Sequence, residues 1–95
     1  MAFSNIGPRV ELEPGQSVTW EYAWEHGQDM GLQLAGPDHF PPSPGTLARL
    51  AASNQAIAVN GFGQSGGLNV SYFVTITNLS SDALGVHNLQ GGGVA

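Results

Sequence analysis

The chain has 95 residues, no cysteine, and a formal charge of -5 at pH 7, with Arg9 and Arg49 its only permanent cations. Disulfides and thiolate zinc sites are thereby excluded, and two isolated cations cannot form the clustered positive surface that nucleic acid or an anionic membrane requires. Charged residues are 9% of the chain against roughly 25% in an ordinary domain, so the expected product is a single domain spanning 1–95 with an uncharged surface and a thin core, of the kind that homo-oligomerisation commonly extends.

The N-terminal M-A-F-S-N-I-G-P has no cationic segment followed by an apolar run, and no stretch approaches the ~20 apolar residues of a membrane helix. A cytoplasmic location and export without a cleaved signal both stay open. From there a period of two dominates. R-V-E-L-E places Val10 and Leu12 opposite Arg9, Glu11 and Glu13 and predicts a first strand, ended by the P-G-Q turn. S-V-T-W-E-Y-A-W-E follows, with Val18, Trp20, Tyr22 and Trp24 on one face and Ser17, Thr19, Glu21, Ala23 and Glu25 on the other, the strongest alternation in the chain. After the turn-forming H-G-Q-D, Met30, Leu32 and Leu34 alternate with Gly31, Gln33 and Ala35, and the two segments are expected to form a hairpin.

G-P-D-H-F-P-P-S-P-G, residues 36–45, carries four prolines and predicts a long loop between sheets, since proline is unsuited to central strands and helix interiors. T-L-A-R-L-A-A-S-N admits either a helical turn capped by Thr46 or a strand. A-I-A-V-N, residues 56–60, predicts a short strand, and G-F-G-Q-S-G-G a flexible connector. L-N-V-S-Y-F-V-T-I-T-N then sets Leu68, Val70, Tyr72, Val74 and Ile76 against Asn69, Ser71, Phe73, Thr75 and Thr77. The chain closes through one or two short strands, with Gly91–Gly93 expected as an exposed tail or bulged edge. Six to eight strands at this spacing predict an all-β fold, an antiparallel β-sandwich of Ig-like or jelly-roll-like type. Y72-F-V-T-I-T-N78 resembles the Y-x-V-T-V-T-N strand and turn of Ig-like repeats in bacterial surface proteins, and L12-E-P-G-Q-S-V18 resembles their P-G-Q-S turn. The Trp-rich strand and the proline segment lie outside that resemblance.

Catalysis finds little support. There is no G-x-S-x-G and no cysteine nucleophile. Glu21 and Glu25, four apart on one strand face, stand about 13 Å apart, beyond the ~5 to 9.5 Å of a glycosidase pair. His26, His39 and His87 with Asp29 or Asp38 lack metal-binding spacing. G61-F-G-Q-S-G-G67 precedes a strand rather than the helix a phosphate cradle needs. No enzyme activity, metal or cofactor is therefore expected.

The aromatic strand is the remaining question. Val18 at its head points the series inward, as core. Trp24, beside the polar H-G-Q-D loop, is placed to stand at the rim, where a ring can cover a pyranose face while short polar side chains take its hydroxyls. The expected function is accordingly a non-catalytic binding module for a glycan or similar polar ligand, using Trp24, His26, Gln28, Asp29 and Asp38, with Trp20 and Tyr22 behind them. The rival is a structural module that self-assembles through strand edges or a flat face, since the strand 68–78 has no charged guard.

Overall fold

The computed structural model describes residues 4–24, 27–40, 48–63 and 67–93. Among them the chain is all-β, with no helix, and its strands pair antiparallel in two sheets. In order they are β1 (Ser4–Asn5), β2 (Val10–Leu12), β3 (Ser17–Tyr22), β4 (Gln33–Phe40), β5 (Leu50–Phe62), β6 (Leu68–Asn78) and β7 (Gly85–Gly93). In one sheet β7 is central: β1 and β2 pair in tandem along one side of it and β4 along the other. In the second, β6 is central between β3 and β5.

The alternation of β6 holds from Val70 to Thr77, whereas Leu68 at its start is exposed. Val70, Val74 and Ile76 are fully buried and Tyr72 nearly so, while Ser71, Phe73, Thr75 and Thr77 stay partly exposed. Directly paired residues of antiparallel strands share a face, so Val18, Trp20 and Tyr22, opposite Ile76, Val74 and Tyr72, also point inward. Leu12, Ala35 and Leu89 from the other sheet complete one core with them. On the outer face the hydroxyls pair instead, Ser17 with Thr77 at 2.8 Å and Thr19 with Thr75 at 3.0 Å.

Three expectations are corrected, and one apolar series faces outward. The segments 17–25 and 30–35 do not form a hairpin, because β3 pairs with β6 and β4 with β7, in different sheets. The apolar series Met30, Leu32 and Leu34 is exposed while Gln33 and Ala35 are buried; in a period of two, one position decides the face. Residues 36–40 belong to β4, with Pro37 opposite Leu89; β4 pairs only with β7, and an edge strand tolerates a missing N–H. Residues 41–47 lie outside the described set. Gly91 and Gly92 are buried within the central strand β7. A Cβ on Gly91 would fall 2.5 Å from Ile6 Cδ1 and 3.2 Å from the Leu34 carbonyl oxygen, so the strand is glycine here for close packing.

The ambiguous stretch from 48 resolves as strand. β5 runs for 13 residues, about 43 Å, with register shifts between Ser53 and Ala56 and between Val59 and Gly61. At the first, Asn54 adopts a φ of 55° and the Gln55 side chain accepts the Ala35 N–H at 3.0 Å, tying β5 to β4 of the other sheet. A Gly63 N–H to Gly67 carbonyl bond closes the β5–β6 hairpin.

Two polar side chains are fully buried in the core. Asn78 donates through Nδ2 to the Leu12 and Ala83 carbonyls at 2.9 and 2.8 Å and accepts the Ser80 N–H on Oδ1. It therefore joins the sheets. His87 is sealed against Trp20, ring centroids 6.4 Å apart at 80°.

Candidate functional site: two clefts beside the aromatic strand

The aromatic strand borders two clefts. The first, about 350 Å³, is lined by Ile6, Gly7, Pro8, Trp20, Glu21, Tyr22, Ala23 and Trp24. Ile6 is held there by donating its N–H to the Leu89 carbonyl, and Gly7 lies so close to Trp20 that a Cβ would meet the ring at 2.5 Å. Trp20 and Trp24 are half-buried and pack on the core. Their Nε1 atoms are sealed from solvent without a hydrogen-bond partner among the described residues, so a ligand in this cleft would meet the rings and not the indole N–H groups. Trp24 turns its ring edgewise to Tyr22, at 6.1 Å and 83°.

The second is a groove of about 480 Å³ between the edges of β4 and β5. Its floor is Tyr22 stacked on Tyr72, centroids 5.6 Å apart, and its walls are Leu32, Leu34 and Ile57, with Asp29, Gln33 and Gln55 as polar members. The chain crosses from one sheet to the other over this floor. There the Tyr72 hydroxyl donates to the Gly31 carbonyl at 2.8 Å and accepts the Met30 N–H at 3.2 Å. Burial, and secondarily Tyr72, push the Tyr22 phenol above its ordinary 10.0.

Beyond that crossing Val70 of β6 is still fully buried, but the β5 side of the hairpin's inner face is open among the described residues. Ile57 pairs with inward-facing Tyr72, Val59 with Val70, and Phe62 with Leu68, so all belong to the core side of the sheet. Yet Ile57, Val59 and Phe62 are 51, 60 and 81% exposed, and Leu68 39%. Leu32, 70% exposed, lines the groove beside Ile57, and neither β5 nor β6 contains a charged residue.

Of the residues expected to bind a ligand, Trp20, Tyr22 and Trp24 share the first cleft, and Tyr22 and Asp29 border the groove. Asp29 is occupied locally, accepting the Gly31 N–H. Gln28 is exposed and bridges to Asn69, lining neither cleft. Asp38 is exposed on β4, five residues past Gln33, about 16 Å along the strand, and accepts a hydrogen bond from Gln90. His26, like Glu25, lies outside the described residues. Among the described residues no group of three His, Asp or Glu side chains could hold a metal ion, and no helix is long and apolar enough to cross a membrane.

The hairpin face was missed in sequence because Ile57, Val59 and Phe62 read as a short strand and a connector. The absence of any charge from Leu50 to Phe62 was the available signal. Comparison with family models found no match, and comparison with curated proteins and with solved structures found none either.

Proposed function

We propose that the chain is a non-catalytic structural module that self-associates through the uncovered face of its β5–β6 hairpin, on an Ig-like β-sandwich. The Ig-like reading rests on pairing: β3–β6–β5 follows the B–E–D sheet and β4–β7 the C–F pair of that fold, with β1 and β2 in the place of strand G. The single observation that carries the functional reading is that core-side residues Ile57, Val59 and Phe62 are more than half exposed. Apolar side chains facing the sandwich interior without a second layer over them are an interface awaiting its other half. Light scattering tests this with Ile57→Asp and Phe62→Asp, which remain monomeric at concentrations where the parent and Leu79→Asp, altered at an exposed leucine elsewhere, associate. Association of all four alike refutes it.

A polar-ligand reading keeps one observation of its own. Two tryptophan rings line the 350 Å³ cleft, which suits the apolar face of a sugar. It retains Trp20, Tyr22 and Trp24 of the expected set. Titration of oligosaccharides against tryptophan fluorescence tests it, and an unchanged spectrum across a glycan panel removes it. Neither reading assigns a cofactor, nucleic acid or membrane partner.

A further inference from the structure

Resting on the self-association reading, we infer its geometry: a two-fold dimer in which two β5–β6 hairpins lie face to face and antiparallel, each Phe62 entering the groove of its partner copy beside Ile57. Three observations lead there. First, Leu32, Ile57, Val59, Phe62 and Leu68 together expose roughly 500 Å² of apolar surface, in the upper part of the range for the largest patch on a monomer and approaching the ~800 Å² per partner of a standard interface. A small ligand would fill the groove and leave the hairpin bare; a second hairpin covers both.

Second, the missing layer is a sheet layer. Ile57, Val59, Phe62 and Leu68 are on the side of β5 and β6 that faces the other sheet lower down, so what covers them must stack at the ~10 Å sheet spacing. The same hairpin of another copy is such a sheet, equally apolar and equally free of charge, so the hairpins themselves bring no ion into the contact, and Asp29 at the groove already accepts the Gly31 N–H.

Third, the spacing is self-complementary. The groove is walled by Ile57, and Phe62, the most exposed large apolar residue among the described residues, stands five positions further along β5. A two-fold axis crossing β5 between Val59 and Asn60 sets each Phe62 over the partner copy's Ile57 and brings the two Val59 side chains together. Such a contact closes on itself and ends at the dimer.

The absence of native cysteine makes thiol cross-linking the direct test. Facing sheets can be bridged by a disulfide, as the inter-sheet bridge of immunoglobulin domains shows. On mild oxidation Val59→Cys should link to itself at least tenfold faster than Leu79→Cys. Ile57→Cys mixed with Phe62→Cys should form the heterologous pair, while each alone stays at the Leu79→Cys background, its two copies being about 16 Å apart along the strand in either case. Val59, Phe62 and Ile57 are more than half exposed, so these variants should keep the parent circular dichroism, and Ser71→Cys on the outer face is a control that must not link. Association by light scattering with Val59→Cys at background overturns the geometry and leaves self-association standing. A monomer at all concentrations overturns both.

Discussion

Replacing Asn78 by alanine should be the most damaging polar substitution in the chain. The side chain is fully buried and makes three hydrogen bonds, two donated to the Leu12 and Ala83 carbonyls and one accepted from the Ser80 N–H. Each bond contributes about 1 kcal/mol net, and a buried acceptor left without its donor costs ~1 to 3 more, so the expected loss is about 3 to 5 kcal/mol. A domain of this size has about 5 to 14 kcal/mol in total, and the melting temperature should fall by roughly 12 to 30 °C. Urea unfolding followed by tryptophan fluorescence gives the number, with an unchanged slope showing that both states keep their compactness. Asn78→Asp supplies the internal check. It keeps the acceptor for Ser80, but when ionised it faces two carbonyl oxygens. The introduced carboxyl is therefore protonated more readily folded than unfolded, so the variant does best below the unfolded value of about 3.9 and loses stability as pH rises through the folded value. A loss under about 1 kcal/mol in Asn78→Ala, or no pH dependence in Asn78→Asp relative to the parent, would show that this side chain does not join the sheets.

Tyr72→Ala should cost ~3 to 5 kcal/mol and Val74→Ala about 2, both by thermal melting, and a larger loss in Phe73→Ala would mean that the faces of β6 are reversed. Trp20→Ala should lower the denaturant midpoint more than Trp24→Ala, because Trp20 is packed between Gly7 and His87 within the paired part of β3 whereas Trp24 lies beyond its end; equal losses contradict this. Tyr22 is raised above 10.0 in the folded chain, so its contribution is intact below pH 10 and is lost as pH rises through the folded value. Tyr22→Phe should accordingly flatten the alkaline limb of a stability profile, and an identical limb in both proteins refutes the assignment.

The strands were legible where one face is more buried than the other along the whole paired length. Val10–Leu12, Ser17–Tyr22 and Leu68–Asn78 each lie inside a segment that alternation marks, since their partners impose a period of two. Gln33–Phe40 was not, because Pro37 signals a break and only its place at a sheet edge, a tertiary fact, makes it tolerable. The same holds for Gly91 and Gly92, where glycine reflects the approach of Ile6 and the β4 backbone rather than a loop. Of the candidate site, the shared face of Trp20, Tyr22 and Trp24 followed from spacing. The distance separating Asp38 from them did not, since it depends on β4 joining β7 and not β3. The uncovered hairpin escaped because alternation tells which side chains point inward and is silent on whether anything lies above them.

The central claim is that the bare hairpin face is covered by a second copy. Sedimentation equilibrium of the unmodified chain over a hundredfold concentration range tests it most directly, at low and at high salt. The account predicts a mass rising from 9.9 kDa towards twice that value and levelling there, with association strengthened by salt as the repulsion between two chains of charge -5 is screened. A mass that stays at 9.9 kDa under every condition would contradict it.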